Sequence, residues 1–207
     1  MVSFYYRKAR IYQMSKKEDL RVKKTKIALF DAFTELMSEE KFENINVNSL
    51  CDKAGIRRAT FYKHFSDKYD FSTYYIRALR VKFDNRADVR VSLARNDTTY
   101  FADYAKRIVE FIDENDAIFS NLLKSNLFPV IYNMIICQNY KDTRDRLQES
   151  VDSGLKLHSS VDSVASMITG GVAATVYIWL TSGKKTASHE IAGELSKLIN
   201  IIIEGKQ

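Results

Sequence analysis

A single proline, Pro129, and only seven glycines punctuate the 207 residues of this chain. Average usage at that length would supply about 14 glycines and about 10 prolines. The tight turns of a β-sandwich or barrel draw on those two residues, because glycine adopts positive φ and proline presets the first turn position. A chain so short of both is a poor β protein. Its 45% hydrophobic and 28% charged residues are enough for amphipathic segments around a real core, and the length suits one or two modest domains.

The periodicity is helical. Leu29, Ala32, Phe33 and Leu36 fall at i, i+3, i+4 and i+7 with Asp31 and Glu35 between them, which predicts a first helix from about Lys16 to Ser38. After a polar break, Val47, Leu50, Cys51 and Ala54 repeat the spacing over two turns. Asn46 stands before them as an N-cap and Gly55 after them as a C′ residue. A short third segment runs from about Arg57 to Phe65, and Asp67 can cap a long fourth helix carrying Tyr74, Tyr75, Ile76, Leu79, Val81 and Phe83. A polar connection, Arg95–Thr99, leads to a helix with Phe101, Tyr104, Ile108, Phe111 and Ile112, then to a short one with Ile118, Phe119, Leu122 and Leu123. Pro129 is tolerated in the first turn of the next helix, which continues over Val130–Leu147. A very apolar helix from Ser159 or Ser160 to near Leu180 and a last amphipathic one complete the chain. The fold predicted is all-α with about nine helices. A flexible basic arm, or a start-site artefact ahead of Met14, occupies 1–15. A three-helix helix-turn-helix domain follows at 16–66, then a larger helical domain at 67–207.

The formal charge of +6 is unevenly placed. Residues 1–68 hold 15 basic and 9 acidic side chains, and residues 69–207 hold 17 of each. All of the excess lies in the first third, as expected of a surface that meets a polyanion. A membrane is a poor candidate: apolar runs such as Met134–Cys137 and Val176–Leu180 fall far short of about 18 residues. Arg7, Lys8 and Arg10 interrupt any signal-peptide core. Two cysteines make no disulfide framework, which fits a reducing cytoplasm. Nucleic acid remains, alongside a solvated basic face that aids solubility.

A capped two-turn helix, a turn at Gly55 and a short following helix make a helix-turn-helix, whose second helix lies in the DNA major groove. Ala54 and Gly55 supply the small crossing residue and the positive φ. Phe61 and Phe65 anchor the recognition helix. Arg57, Arg58, Thr60, Tyr62, Lys63 and His64 are left as polar groups to read or clamp a duplex, with Asn46 at the preceding helix start. The run from Phe42 to Lys68, with Gly55, the Phe61-Tyr62-Lys63-His64-Phe65 block and Lys68 three residues after Phe65, resembles the N-terminal domain of TetR/AcrR-type transcriptional regulators. Met167-Ile-Thr-Gly170-Gly171 and Trp179-Leu180-Thr-Ser-Gly183 are similar to the C-terminal domain of a Gram-positive branch of that family. The sequence departs from the pattern at Arg57, where the family usually has Ser, Thr or Gly.

The resemblance implies base or phosphate contacts for Thr60, Tyr62, Lys63 and His64, and a phosphate contact for Lys68. It implies a homodimer in which the last two helices pair with their copies; Gly170, Gly171, Ala174, Ile191, Leu195, Leu198 and Ile202 are the candidate interface. It also implies an effector pocket, for which Tyr75, Tyr104, Phe111, Phe128, Tyr132 and Tyr177 are candidates, although aromatics at helical spacing serve a plain core equally well. The effector would be small and apolar or aromatic, and the DNA a palindromic operator. No Ser, Cys or Asp arrangement around His64 has nucleophile–base logic, His158 and His189 stand apart from any metal-like cluster, and Cys51 and Cys137 read as packing residues. No catalytic residue, metal or cofactor is expected. The function expected is a dimeric regulator, by default a repressor; an activator, or a protein-interaction module of the same fold without a pocket, is the alternative.

Overall fold

The computed structural model describes residues 20–84 and 99–205, and among them every regular element is a helix. The basic arm at 1–15, the start of the first helix near Lys16 and most of the connection from Arg95 lie outside the described residues. The chain divides into two units between Ser72 and Thr73.

The first unit contains α1 (Leu20–Glu39), α2 (Val47–Ala54), α3 (Arg58–Tyr62) and the start of α4 (Lys68–Asp84). Helix α1 buries the predicted Leu29, Ala32, Phe33 and Leu36 together with Phe30 and Met37. Phe33, Phe42, Phe61, Phe65 and Phe71 pack ring against ring between these short helices. Phe33 meets Phe71 edge-on at 5.3 Å, Phe65 meets Phe71 at 5.0 Å, and Phe61 lies 5.6 Å from Phe65. Such pairs contribute ~0.5–1.5 kcal/mol each beyond burial. They hold α3, too short to be stable alone, against the rest of the unit.

The second unit holds α5 (Thr99–Glu114), α6 (Asp116–Leu123), α7 (Phe128–Asp152), α8 (Val161–Thr181) and α9 (Ser188–Glu204). Pro129 sits in the first turn of α7, and Ser160 caps α8 by accepting the Ser163 N–H at 3.2 Å. One core cluster joins Tyr100, Phe101, Leu147, Ile168, Ile199 and Ile203; a second joins Val109, Val176, Trp179 and Leu195. The short-run expectation needs correcting for α8. Its 21 residues carry one charge, Asp162, and are long and apolar enough by length and composition to cross a membrane. Here α8 lends Val164, Ala165, Ile168, Val176 and Trp179 to the helical core.

Candidate functional site

Helix α2 is opened by reciprocal caps. Asn46 Oδ1 accepts the Ser49 N–H at 2.9 Å, and Ser49 Oγ accepts the Asn46 N–H at 3.2 Å. The Asn46 oxygen, expected at DNA, is thereby engaged within the protein. At the other end Gly55 adopts φ 65°, and the Ile56 N–H reaches the Cys51 carbonyl at 3.0 Å. A Cβ on Gly55 would meet nothing within 4 Å. The glycine is therefore needed for its left-handed backbone and not for close approach.

Helix α3 is held from below and bare above. Phe61 and Phe65 are buried, Thr60 and His64 half-buried, and Arg57, Arg58, Tyr62 and Lys63 exposed, Tyr62 by 50% with its ring edge-on to Phe61. Arg57 is the N-cap of α3, extended in backbone, and its side chain makes no capping bond. The departure at this position thus removes a side-chain cap and presents a guanidinium outward. Arg57, Arg58 and Lys63 form no ion pair among the described residues. Nearby Lys53 shows the contrast: its Nζ is 3.1 Å from Glu35 and 3.0 Å from Glu39, fastening α2 to α1.

Lys68 is a correction. A cation at a helix N-terminus is disfavoured by ~0.3–1 kcal/mol, and a bound phosphate was the expected remedy. The ammonium instead donates to the carbonyls of Phe42, Glu43 and Ile45 at 3.1, 3.1 and 2.8 Å, and lies 4.5 Å from the Phe42 ring centre. Burial lowers its pKa from the ordinary lysine value, with Glu43 and Glu40 opposing. Lys68 fastens the turn ahead of α2. Asp67 caps α4 as expected, accepting the Tyr69 and Asp70 N–H groups at 2.8 Å each.

In the second unit a cavity of about 140 Å³ lies among α5, α6, α7 and α8. Tyr104, Phe128, Tyr132 and Tyr177 line it as expected; Tyr75 and Phe111 do not. Tyr75 is buried elsewhere, and Phe111 packs on Phe83 at 5.0 Å and Phe119 at 6.0 Å, so both are core residues. Phe128 stacks on Tyr177 at 5.7 Å and tilts against Tyr132 at 5.3 Å. Sequence reasoning missed the polar part of the wall: Asn139, Asp142, Thr143 and Thr169. Asn139 and Asp142 continue the stripe of Ile131 and Ile135 on α7, so polar residues on an inward apolar face were the available signal. Arg80 of α4 donates to Asn139 Oδ1 at 2.7 Å and pairs with Asp142, while Tyr104 Oη donates to Asp84 at 3.3 Å. Burial opposes the Arg80 charge, while the carboxylates of Asp142 and Asp84 beside it favour it. Burial and then Asp84 push the Tyr104 phenol well above its ordinary pKa, so it stays neutral.

The expected interface residues divide. Gly170, Gly171 and Ala174 are exposed on α8, in line with Met167 and with Ile178, which is 63% exposed. Nothing lies within 4 Å of a Cβ built on either glycine. On α9, Leu198 is 56% exposed, but Leu195 is 4% exposed, Ile191 packs against the cluster around Leu195, and Ile202 packs against the cluster around Ile199 and Ile203. Leu195, Ile191 and Ile202 are thus intrachain core residues, and Leu198 with Ile201 forms the outward apolar pair. The stripe from 191 to 202 mixes two faces of α9, and of its members Leu198 lies outward.

Residues 29–71 match the family described as bacterial regulatory proteins, tetR family, and residues 99–201 match a transcriptional regulator C-terminal region. No curated protein matches the sequence. Among solved structures, a TetR-family transcriptional regulator from Syntrophomonas wolfei is similar at TM-score 0.73 and 14% identity, over 89% of this chain and 97% of that one. FadR from Bacillus subtilis, in complex with stearoyl-CoA, is similar at TM-score 0.67 and 21% identity, over 87% and 99% of the two chains. The dihydroxyacetone kinase operon activator DhaS gives TM-score 0.63 and 16% identity, over 88% and 98%. At these identities the likeness is one of fold.

Proposed function

We propose that this chain, which belongs to the tetR family of bacterial regulatory proteins and is a DNA-binding transcriptional regulator, acts in the cytoplasm as a homodimeric repressor under effector control. The observation that carries the DNA reading is α3: a short helix anchored by Phe61 and Phe65, with the exposed cations Arg57, Arg58 and Lys63 unpaired among the described residues. Thr60, Tyr62 and His64 complete its polar surface. Placed in a major groove, this helix has guanidinium groups for phosphates and guanines, and a threonine for a base edge. Repression needs only occupancy of a promoter.

The outward apolar face of Met167, Gly170, Gly171, Ala174, Ile178, Leu198 and Ile201 supports the dimer. Two copies of α3 would then engage half-sites one helical turn or a multiple apart. The cavity supports effector control. Its wall residues Asn139, Asp142 and Tyr104 are the partners of Arg80 and Asp84 on α4, so an occupant that shifts them alters how α4 is held. A coupling of ~1–3 kcal/mol would change operator affinity about 5–150-fold. That FadR of similar fold holds stearoyl-CoA supports a small-molecule signal. The likeness to DhaS, an operon activator, supports a second reading in which the bound dimer recruits transcription. Deleting the regulator separates them: a promoter reporter rises for a repressor and falls for an activator.

A salt titration tests the DNA reading. Three cations on each of two α3 helices neutralise about six phosphates, so log K against log salt should fall with a slope of about −5. A flat response contradicts the proposal.

A further inference from the structure

We infer that the cavity of the second unit takes an uncharged ligand of about single-ring size, carrying one hydrogen-bonding group that Thr169 reads. This rests on the effector reading only for its consequence at DNA; the ligand assignment stands on the wall itself. Apolar cavities of about 150 Å³ accept a benzene-sized ring, and this one measures about 140 Å³. The stacked Phe128 and Tyr177, with Tyr132 tilted against Phe128, give a ring a flat apolar face.

The electrostatics select against ions. No Lys, Arg or His is among the described lining residues, and the one acid, Asp142, is paired with Arg80 and accepts from Gln138 at 3.0 Å. An anionic ligand would enter a low-dielectric space with no counter-charge, beside a carboxylate. A cationic one would find the only carboxylate already taken. Either charge would lose its water without replacement.

Thr169 supplies the specific feature. It is 6% exposed, lines the cavity, and its hydroxyl has no hydrogen-bond partner. A helical threonine ordinarily bonds the carbonyl one turn back, as Thr34 does to Phe30 and Thr181 to Tyr177 at 2.8 Å each. A buried hydroxyl left free disfavours the empty state and awaits a partner. A hydroxyl or carbonyl on the ligand would satisfy it.

Calorimetry on the full-length protein with phenol, toluene, benzoate and decanoate tests this. Phenol should bind at millimolar concentration or below and about 2–10-fold more tightly than toluene, the range one neutral hydrogen bond gives. Benzoate and decanoate should not bind under the same conditions. Thr169→Val should make phenol and toluene equal while leaving the empty protein as stable as before or more so, because it removes an unpaired polar atom. Thr169→Ser, which keeps the hydroxyl, should retain the preference. Benzoate or decanoate binding as tightly as phenol, an unchanged phenol preference in Thr169→Val, or no binding by any of the four overturns the inference. Operator affinity measured with and without phenol is read separately: phenol bound with DNA affinity unchanged upholds the ligand assignment and dismisses effector control.

Discussion

Replacing Arg57, Arg58 and Lys63 together by alanine should lower affinity for every DNA duplex about 10³-fold near physiological salt. A charge-assisted hydrogen bond contributes ~1.5–3 kcal/mol when well formed, and exposure to salt reduces it. Six such groups in a dimer, three on each α3, at ~0.7 kcal/mol each after screening, give ~4 kcal/mol, which is that range. Fluorescence anisotropy at several salt concentrations gives a second reading, because the salt slope should collapse towards zero as the neutralised phosphates are lost. The three side chains are exposed and make no ion pair among the described residues. Each should therefore alter stability by no more than ~0.5 kcal/mol, and the circular dichroism melt should stay in place. A folded variant that binds within threefold of the parent places the DNA surface elsewhere.

A glutamate at Ile178 together with one at Leu198 should convert the proposed dimer to monomers. Both side chains are outward, at 63% and 56% exposure, on the face proposed to meet its copy. Four uncompensated carboxylates would then face one another across the pairing surface, a desolvation and repulsion cost of several kcal/mol. Light scattering should return half the parent mass, and operator affinity should fall about 10²–10⁴-fold as two linked half-site contacts become one. Leu195→Glu makes the contrast. At 4% exposure it would put a charge beside Val176 and Trp179, so Leu195→Glu should melt well below the double variant. An unchanged mass in the double variant contradicts the assigned face.

Much of this was legible because local chemistry decided it. Asn46, Gly55, Asp67 and Ser160 are caps whose side chains or backbone freedom act within a few residues, and the sequence spacing located the first three and narrowed the last to Ser159 or Ser160. Phe61 and Phe65 sat a helical turn apart on an apolar face, so burial followed. Lys68 failed for a tertiary reason: its three carbonyl partners lie 23 to 26 residues earlier, beyond any local pattern. The α9 stripe failed because two apolar faces share that helix. Leu195, Ile199 and Ile203 serve the core, while Leu198 and Ile201 lie outward, and periodicity alone cannot assign them. Among the aromatics, the four that line the cavity and the two that fill the core are the same residue types at the same spacing. Position relative to α7 and α8 separates them. Thr169 carried no signal as one of three threonines in an apolar helix, and its unpaired hydroxyl set it apart.

The charge asymmetry, 15 basic against 9 acidic side chains in residues 1–68, has its clearest local expression in α3. The central claim is that this helix, presented twice by a dimer, reads a specific operator. Selection from a pool of random duplexes by the full-length protein tests it most directly. The parent protein should enrich one palindrome with half-sites about 10 base pairs apart, or a multiple, and the Arg57, Arg58 and Lys63 triple alanine variant should enrich none. A parent protein that enriches no sequence, or one with no two-fold symmetry, contradicts it.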